Sequence, residues 1–413
     1  MVKRKYNLVV MGATGFTGKL VVEYLLNNYG VDNKEFSWAI AGRNKRKIEL
    51  LKRSLEDISP KAKDIPEFIA DSNNIESLNK MTSKCDVVIS TVGPYLKYGH
   101  LLVESCANNG THYCDLTGEA PFIKESIDKF HNLAKANNCK IIHSCGFDSI
   151  PSDIGVLLLQ NAFISEFGEP CDEIKLYVRG MRGGFSGGTI ESIINIYDYV
   201  AMKPKLNSSL KNPFSLAPDF DYQDSPQDPS LKTLKWDANI NQWICPFAMS
   251  GINTKIVRRS NGLMNHPYGH KFKYSEVVSF PRGIKGFISG LMMTMGLGFL
   301  KISIHFKPVL YILRKFYLPS PGEGPSRSER ENGFFKLKLT GYRNGVHMKS
   351  LVVNGDSDAG YSGTAKMITE SALSIILNND EIPNNYGVLT PASAIGEIIE
   401  KRLSENGITY KIV

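Results

Sequence analysis

No Cys-x-x-Cys pair occurs anywhere in this 413-residue chain; its seven cysteines are odd in number and scattered. Neither a disulfide framework nor a zinc site follows from such spacing, and reduced thiols are expected. His266-x-x-x-His270 and Cys106…His112-x-Cys114 lack a second ligand pair, so no metal is expected. No nucleic-acid motif and no patch of alternating basic and aromatic residues is found, which argues against nucleic acid despite a net charge of +8. Anionic membrane surfaces or phosphorylated cofactors account for that charge equally well. The apolar stretch ahead of the first glycines, Leu8 to Met11, is too short for a signal-peptide core.

What the sequence does have begins at that stretch. Strand-like Asn7 to Met11 runs into Gly12-Ala13-Thr14-Gly15-Phe16-Thr17-Gly18 and then into a helical pattern from Lys19 to Leu26. A phosphate needs backbone N–H groups aimed at it from close range, and side chains at Gly12 or Gly15 would obstruct them. Gly18 lets the helix approach the sheet, and the positive end of the helix dipole adds to the pyrophosphate pocket. The spacing is GxxGxxG rather than GxGxxG, but its place between a strand and a helix, with a second strand from Phe36 to Gly42, makes a dinucleotide site.

An NAD site offers a carboxylate at the end of the second strand; here stands Arg43, followed by Asn44-Lys45-Arg46-Lys47. A guanidinium suits a 2′-phosphate, so NADPH is the expected cofactor, against the plainer reading of a solvated basic helix start. Further strands end at Asp71, placed for the adenine, and at Thr91-Val92-Gly93-Pro94-Tyr95, placed for the nicotinamide ribose. The candidates for proton transfer are Tyr95 and Tyr98 after the fourth strand and Asp148 after the sixth, with Lys97, Cys114, Asp115 and Cys145 nearby. Tyr-x-x-x-Lys occurs at Tyr199/Lys203 and Tyr311/Lys315, a frequency that chance explains in a chain with 18 tyrosines.

After residue 150 the strand–helix alternation loosens. A strand from Ile174 to Gly180 leads through glycine-rich Arg182 to Gly188 into a helix, an arrangement that fits either an anion site or a tight turn. Residues 203–235 read as an exposed loop, a lid in one reading, and Pro319 to Ser326 as a second loop. Phe335 to Thr340 and Val346 to Val353 form a hairpin about Asn344-Gly345, and the tail closes with two helices, the second capped by Thr390. Gly286 to Leu300 carries no charge over 15 residues. That falls short of the roughly 20 apolar residues of a spanning helix. An in-plane helix or leaflet-dipping hairpin, with Lys285, Lys301, Lys307, Arg314 and Lys315 facing headgroups, competes with a buried core helix and an acyl-chain wall.

The fold expected is α/β: a doubly wound Rossmann-type parallel sheet over 1–150, a second α+β substrate domain over 151–355 containing the apolar segment at about 286–317, and C-terminal helices over 356–413 that pack back on the nucleotide domain.

The GATGFTG run, AGR at 41–43, TVGPY at 91–95, HYCDLTGE at 112–119, GFDSIPSD at 146–153, FSGGT at 185–189 and GVLTPASAIG at 387–396 together resemble the saccharopine dehydrogenase-like oxidoreductases. The resemblance extends to bacterial trans-acting enoyl reductases, which reduce a double bond during assembly of polyketide-derived glycolipids. It implies a cofactor role for Gly12, Thr14, Gly15, Phe16, Gly18, Arg43 and Asp71, with Gly93, Pro94 and Tyr95 flanking the nicotinamide. It assigns no catalytic acid. The oily run from Gly286 departs from an amino-acid-handling enzyme. The leading expectation is an NADPH-dependent reductase of a lipid or lipid-linked acyl or carbonyl compound, on the cytoplasmic face of a membrane or lipid droplet, or otherwise cytosolic. Two alternatives stand beside it. One is a non-catalytic nucleotide-binding scaffold or redox sensor on such a surface; the other is a saccharopine reductase, which requires several cationic side chains in its cleft to hold carboxylates, Arg179, Arg182, Arg258 and Arg259 being present in the sequence without a place in the fold. Whether the chain forms a homodimer is open at this stage.

Overall fold

The computed structural model describes residues 4–183, 187–218, 230–316 and 324–413. The chain forms two compact units, Met1–Ile150 with Gly322–Gly324 and Gly360–Asn406, and Pro151–Pro321 with Pro325–Ala359 and Gly407–Val413.

The first unit is built on seven parallel strands: β1 (Tyr6–Met11), β2 (Trp38–Gly42), β3 (Glu67–Ile69), β4 (Cys85–Ser90), β5 (His112–Asp115), β6 (Lys140–Ile142) and β13 (Gly387–Leu389). Their order is β13-β6-β5-β4-β1-β2-β3, so the winding reverses between β1 and β4, where doubly wound sheets bind ligands. The strands read as continuous apolar runs because helices cover both faces, and Leu8, Val9, Val10, Val87, Val88 and Ile89 are fully buried. The helix Ser362–Leu377 lies against the helix Phe16–Asn28 and against β4. Its buried Glu370 accepts hydrogen bonds from Tyr24 Oη (2.7 Å), Tyr29 Oη (2.8 Å) and Arg402 Nε (2.7 Å).

The second unit carries a mixed sheet in the order β14-β12-β11-β7-β10-β9-β8. Its strands are β7 (Glu173–Arg182), β8 (Lys235–Asp237), β9 (Gln242–Pro246), β10 (Lys273–Phe280), β11 (Phe334–Arg343), β12 (Val346–Gly355) and β14 (Ile408–Ile412). β10 runs parallel to β7, and β11 pairs antiparallel with β7 and β12, the latter as the expected hairpin. The helix Ile150–Phe167 packs on this sheet so closely that a Cβ at Gly155 would lie 3.0 Å from Leu339 and one at Gly341 would lie 2.5 Å from Phe163.

Several segments differ from the sequence reading. The tail is not purely helical: β13 extends the first sheet, and β14 adds an edge to the second. Residues 203–235 are not one loop. Pro204–Leu210 is helical, Phe214 and Leu216 are buried, and Lys235 opens β8, while 219–229 lie outside the described residues. Gly184 to Ser186 of the glycine-rich approach and 319–323 of the second loop also lie outside them.

The apolar run is one helix of 22 residues, Ile284–His305, followed by Lys307–Phe316. It is therefore longer than its uncharged core, and the stretch Ile284–Ile304 is long and apolar enough to cross a bilayer. Only 11% of its most apolar window is buried, which corrects the core-helix alternative.

Candidate functional site at the carboxyl ends of the parallel strands

The turn after β1 is shaped by its glycines. Gly12 sits at φ +88°, and a Cβ there would stand 2.7 Å from Val92 Cγ2 and 2.8 Å from Thr91 Oγ1. At Gly18 a Cβ would overlap the Gly12 carbonyl oxygen, so this residue lets the helix close onto the turn. Thr91, at the end of β4, ties the two strand ends together, donating from its N–H and its hydroxyl to Met11 O at 3.0 and 3.2 Å.

The helix Phe16–Asn28 starts at Gly15 in extended conformation, without a side-chain cap and without an acid in its first turn. Its N-terminal amides and dipole are therefore neutralised by nothing on their own helix. Thr14 and Gly15 are exposed beside it. This cradle fits a pyrophosphate: backbone donors, an uncompensated helix end and no carboxylate in its opening turn. Phe16 is half-buried, its ring 5.2 Å from that of Tyr361.

Arg43 is exposed at the carboxyl end of β2 and makes no hydrogen bond or ion pair with the described residues. Asn44 caps the next helix, accepting from Lys47 N at 3.1 Å, and Lys45, Arg46 and Lys47 are exposed on its first turn. A basic surface thus borders the turn on the side where the ribose phosphate of NADP would lie. Asp71 follows β3, but its Oδ1 accepts from Asn73 N at 2.9 Å, closing a local turn.

Beyond β4 the backbone of Tyr95 and Leu96 donates to the two carboxylate oxygens of Glu119, each at 2.9 Å. Glu119, 1% exposed, thereby caps the helix Tyr95–Tyr98 and holds the Gly93-Pro94 turn that precedes it. Tyr95 is buried, with Oη donating to Ser90 O (3.0 Å) and accepting from Leu116 N (3.3 Å). Burial first, and then Asp115, push its phenol well above the usual value. Those partners give Tyr95 a structural task. Tyr98 is half-buried, and its hydroxyl makes no hydrogen bond with the described residues. Asp148 is half-buried, its carboxylate beside Gly118, where a Cβ would lie 3.2 Å from Oδ2.

The ends of β5 and β6 are joined by a fully buried network that the sequence reading did not assemble. Asp115 accepts from Tyr113 Oη (2.9 Å), Thr117 N (3.0 Å), Ser144 N (3.2 Å) and His143 Nδ1 (2.7 Å), and His143 Nε2 accepts from Ser126 Oγ (2.8 Å). This Ser–His–Asp chain has no exposed member, so it fixes loops rather than attacking a substrate. The Cys145 thiol is buried too, and burial and then Cys114 raise its pKa well above the usual value.

In the second unit, Arg258 and Arg259 are 6% and 2% exposed and donate to the backbone carbonyls of Tyr274 and Leu216. That removes two of the four arginines expected to hold substrate carboxylates; Arg179 and Arg182 are exposed. Ser152 of the 146–153 motif donates to buried Glu276 at 2.6 Å, and burial raises that carboxyl's pKa. Lys203 contacts the Tyr199 hydroxyl one helical turn away on an exposed surface, as two neighbours on a helix do. Among the described residues no cluster of three or more metal-ligating side chains occurs.

Residues 8–142 match the family described as "Saccharopine dehydrogenase NADP binding domain". A trans-acting enoyl reductase of Mycobacterium leprae (strain TN) is 32% identical over 98% of this chain and 97% of its own. One of Mycobacterium tuberculosis (strain ATCC 25618 / H37Rv) is 32% identical with the same coverage, and a further chain of that strain, given the same name provisionally, is 34% identical over 99% of this chain and 97% of its own. Among solved structures, apo saccharopine dehydrogenase (L-Glu forming) from Saccharomyces cerevisiae aligns with a TM-score of 0.51 over 99% of this chain and all of that one, at 13% identity, a likeness of fold.

Proposed function

From the premise that this chain belongs to the saccharopine dehydrogenase-like oxidoreductases and uses NADP(H), we propose that it reduces the activated double bond of a lipid or lipid-linked acyl compound. The observation that carries this reading is the similarity to trans-acting enoyl reductases along nearly the full length, second unit included. The buried positions of Arg258 and Arg259 support an apolar substrate over the polar amino-acid adduct handled by a saccharopine reductase.

In this reading the amides around Gly12, Gly15 and Gly18 hold the pyrophosphate, Arg43 grips the 2′-phosphate, and the Glu119-braced turn at Gly93-Pro94 positions the nicotinamide end. NADPH held by these residues would supply the hydride that the β-carbon of an enoyl group requires. One proton must then reach the α-carbon. Tyr98 is given that role because its half-buried side chain makes no hydrogen bond with the described residues, whereas the Tyr95 hydroxyl is locked between Ser90 and Leu116 and Asp148 is already engaged.

The test is NADPH consumption by the purified full chain with trans-2-enoyl thioesters of increasing acyl length. Turnover that rises with acyl length, prefers NADPH to NADH and falls at least tenfold in Tyr98→Phe is expected. Tight NADPH binding without consumption of any enoyl or carbonyl lipid would overturn the reductase in favour of a nucleotide-binding scaffold. In cells lacking the protein, an unsaturated precursor of a lipid or glycolipid should accumulate.

A further inference from the structure

The second unit displays an apolar surface that its own fold leaves open. Along Ile284–His305 the side chains of Met292, Met295, Phe299 and Ile302 are 68, 64, 57 and 60% exposed. Part of the helix packs on its own unit: the Phe287 ring lies 5.0 Å from that of Trp243, Gly290 faces Leu234 and Phe280, and Ser303 is buried, while the face carrying those four side chains stays open. Phe306, Tyr311 and Ile312 carry the exposed apolar surface into the next helix, Lys307–Phe316. A continuous apolar face of this kind marks an interaction site.

Two features say what covers it. The first is charge: between Glu276 and Glu323 there are 46 residues without a single acid, although acids make up 41 of the 413 residues, and the same stretch holds Arg282, Lys285, Lys301, Lys307, Arg314 and Lys315. The second lies at the foot of the helix, where two of the three tryptophans, Trp236 and Trp243, stack edge-to-face at 5.2 Å. With Phe287, Ile284, Gly283 and exposed Arg282 they line a cleft of about 510 Å³. Indole rings beside a cation, at the root of an apolar helix, suit the headgroup level of a bilayer.

Topology decides how deep the helix goes. At 22 residues it is about 33 Å long, enough to cross. Yet β10, which precedes it, and β11, which follows it, both pair with β7 in one sheet. The chain therefore leaves and rejoins the same side, and a single crossing would separate strands that are hydrogen-bonded to a common neighbour. We propose that Ile284–His305 and Lys307–Phe316 form a monotopic anchor that enters one leaflet of an anionic phospholipid membrane without spanning it, with Arg282, Trp236 and Trp243 at headgroup level.

This inference is independent of the reductase reading, because NADPH binding is measured in the first unit. The test is flotation of the full-length protein with vesicles of phosphatidylcholine alone and of phosphatidylcholine mixed with phosphatidylserine. Wild-type protein is expected to float with the mixed vesicles and much less with the neutral ones. Met295→Glu with Phe299→Glu should reduce flotation at least tenfold while NADPH affinity stays unchanged, since both side chains already face solvent. Lys285→Glu with Lys301→Glu should abolish the preference for phosphatidylserine. The proposal is overturned if the protein stays unbound with both vesicles, if it floats equally with both, or if the Glu pair instead dissolves a vesicle-independent dimer. External protease should degrade the anchor-flanking residues 270–283 and 325–333 from the same side of the vesicle; protection of one flank only would overturn the monotopic topology.

Discussion

Two helices in this protein begin alike and end in different surroundings. Phe16–Asn28 and Ile284–His305 both follow a glycine, and both lack a side-chain cap and an acid in the first turn. The first buries Leu20, Val21, Val22, Leu25 and Leu26, and its Gly18 is fixed by the Gly12 carbonyl. In the second, Gly296 and Gly298 have nothing within 4 Å of an added Cβ. An open helix start therefore gains meaning from its neighbours: beside β1 and β4 it is part of a built anion cradle, and beside β10 it is the root of an exposed apolar rod. Substitutions around the first should be costly, and those on the second nearly free or favourable.

The sharpest way to break this contrast is Asp115→Ala. Asp115 is fully buried and serves four donors, so its removal strands His143 and two backbone amides. A loss of about 3 kcal/mol or more is expected, read from denaturant midpoints. A near-neutral result would mean that the carboxyl ends of these strands are not rigidly built. Next comes Gly18→Ala, which forces the helix away from the Gly12 turn. It should cost about 1–3 kcal/mol and weaken NADPH binding at least tenfold by calorimetry.

Arg43→Asp tests the rim of the cradle rather than its frame. Exchanging a bidentate donor for a like charge should reverse the NADPH-over-NADH preference by about 10- to 100-fold with little change in stability, since Arg43 is exposed. Unchanged selectivity would transfer the 2′-phosphate to Arg46 or Lys47.

A pH effect follows from His112 at the start of β5. Burial, and then Lys140 and Arg4, lower its pKa from 6.5 to about 4, while Nδ1 accepts from Lys140 N at 3.0 Å. The folded state thus holds the neutral ring, and the unfolded state binds the extra proton. The stability this adds is complete above about pH 6.5 and is lost as pH falls towards 4, by about 2 kcal/mol between pH 7 and pH 5. His112→Gln should flatten that part of the stability curve. An unaltered curve would show that the ring titrates without burial.

How far these features could be read in advance depended on whether their partners were near in sequence. Gly12, Gly18 and Arg43 fall within 32 residues of one another on consecutive elements, so period and turn chemistry exposed them, as they did the 334–355 hairpin. The Asp115–His143–Ser126 chain joins residues 28 and 17 positions apart on two strand ends and a helix. Only the order of strands in the sheet brings them together. β13 and β14 were missed for a related reason. They are three and five residues long and carry no period of their own, because one completes a sheet begun at residue 6 and the other a hairpin begun at 334. The apolar helix was legible as apolar, but its length was misjudged. The uncharged core ends at Lys285 and Lys301, while the helix continues past both with their side chains exposed.

The smallest effect expected has the opposite sign. Gly296 and Gly298 interrupt an otherwise good helix in open space, where neither close approach nor a positive φ calls for glycine. In water, Gly296→Ala should therefore raise stability by about 0.5–1 kcal/mol, through the lower entropy of the unfolded chain. The gain should appear as slower amide exchange along 290–300, with the cradle around Gly12 untouched. If alanine instead destabilised the helix, some neighbour must press on Gly296. The free apolar rod would then be a packed element, and the contrast between the two helices would fail.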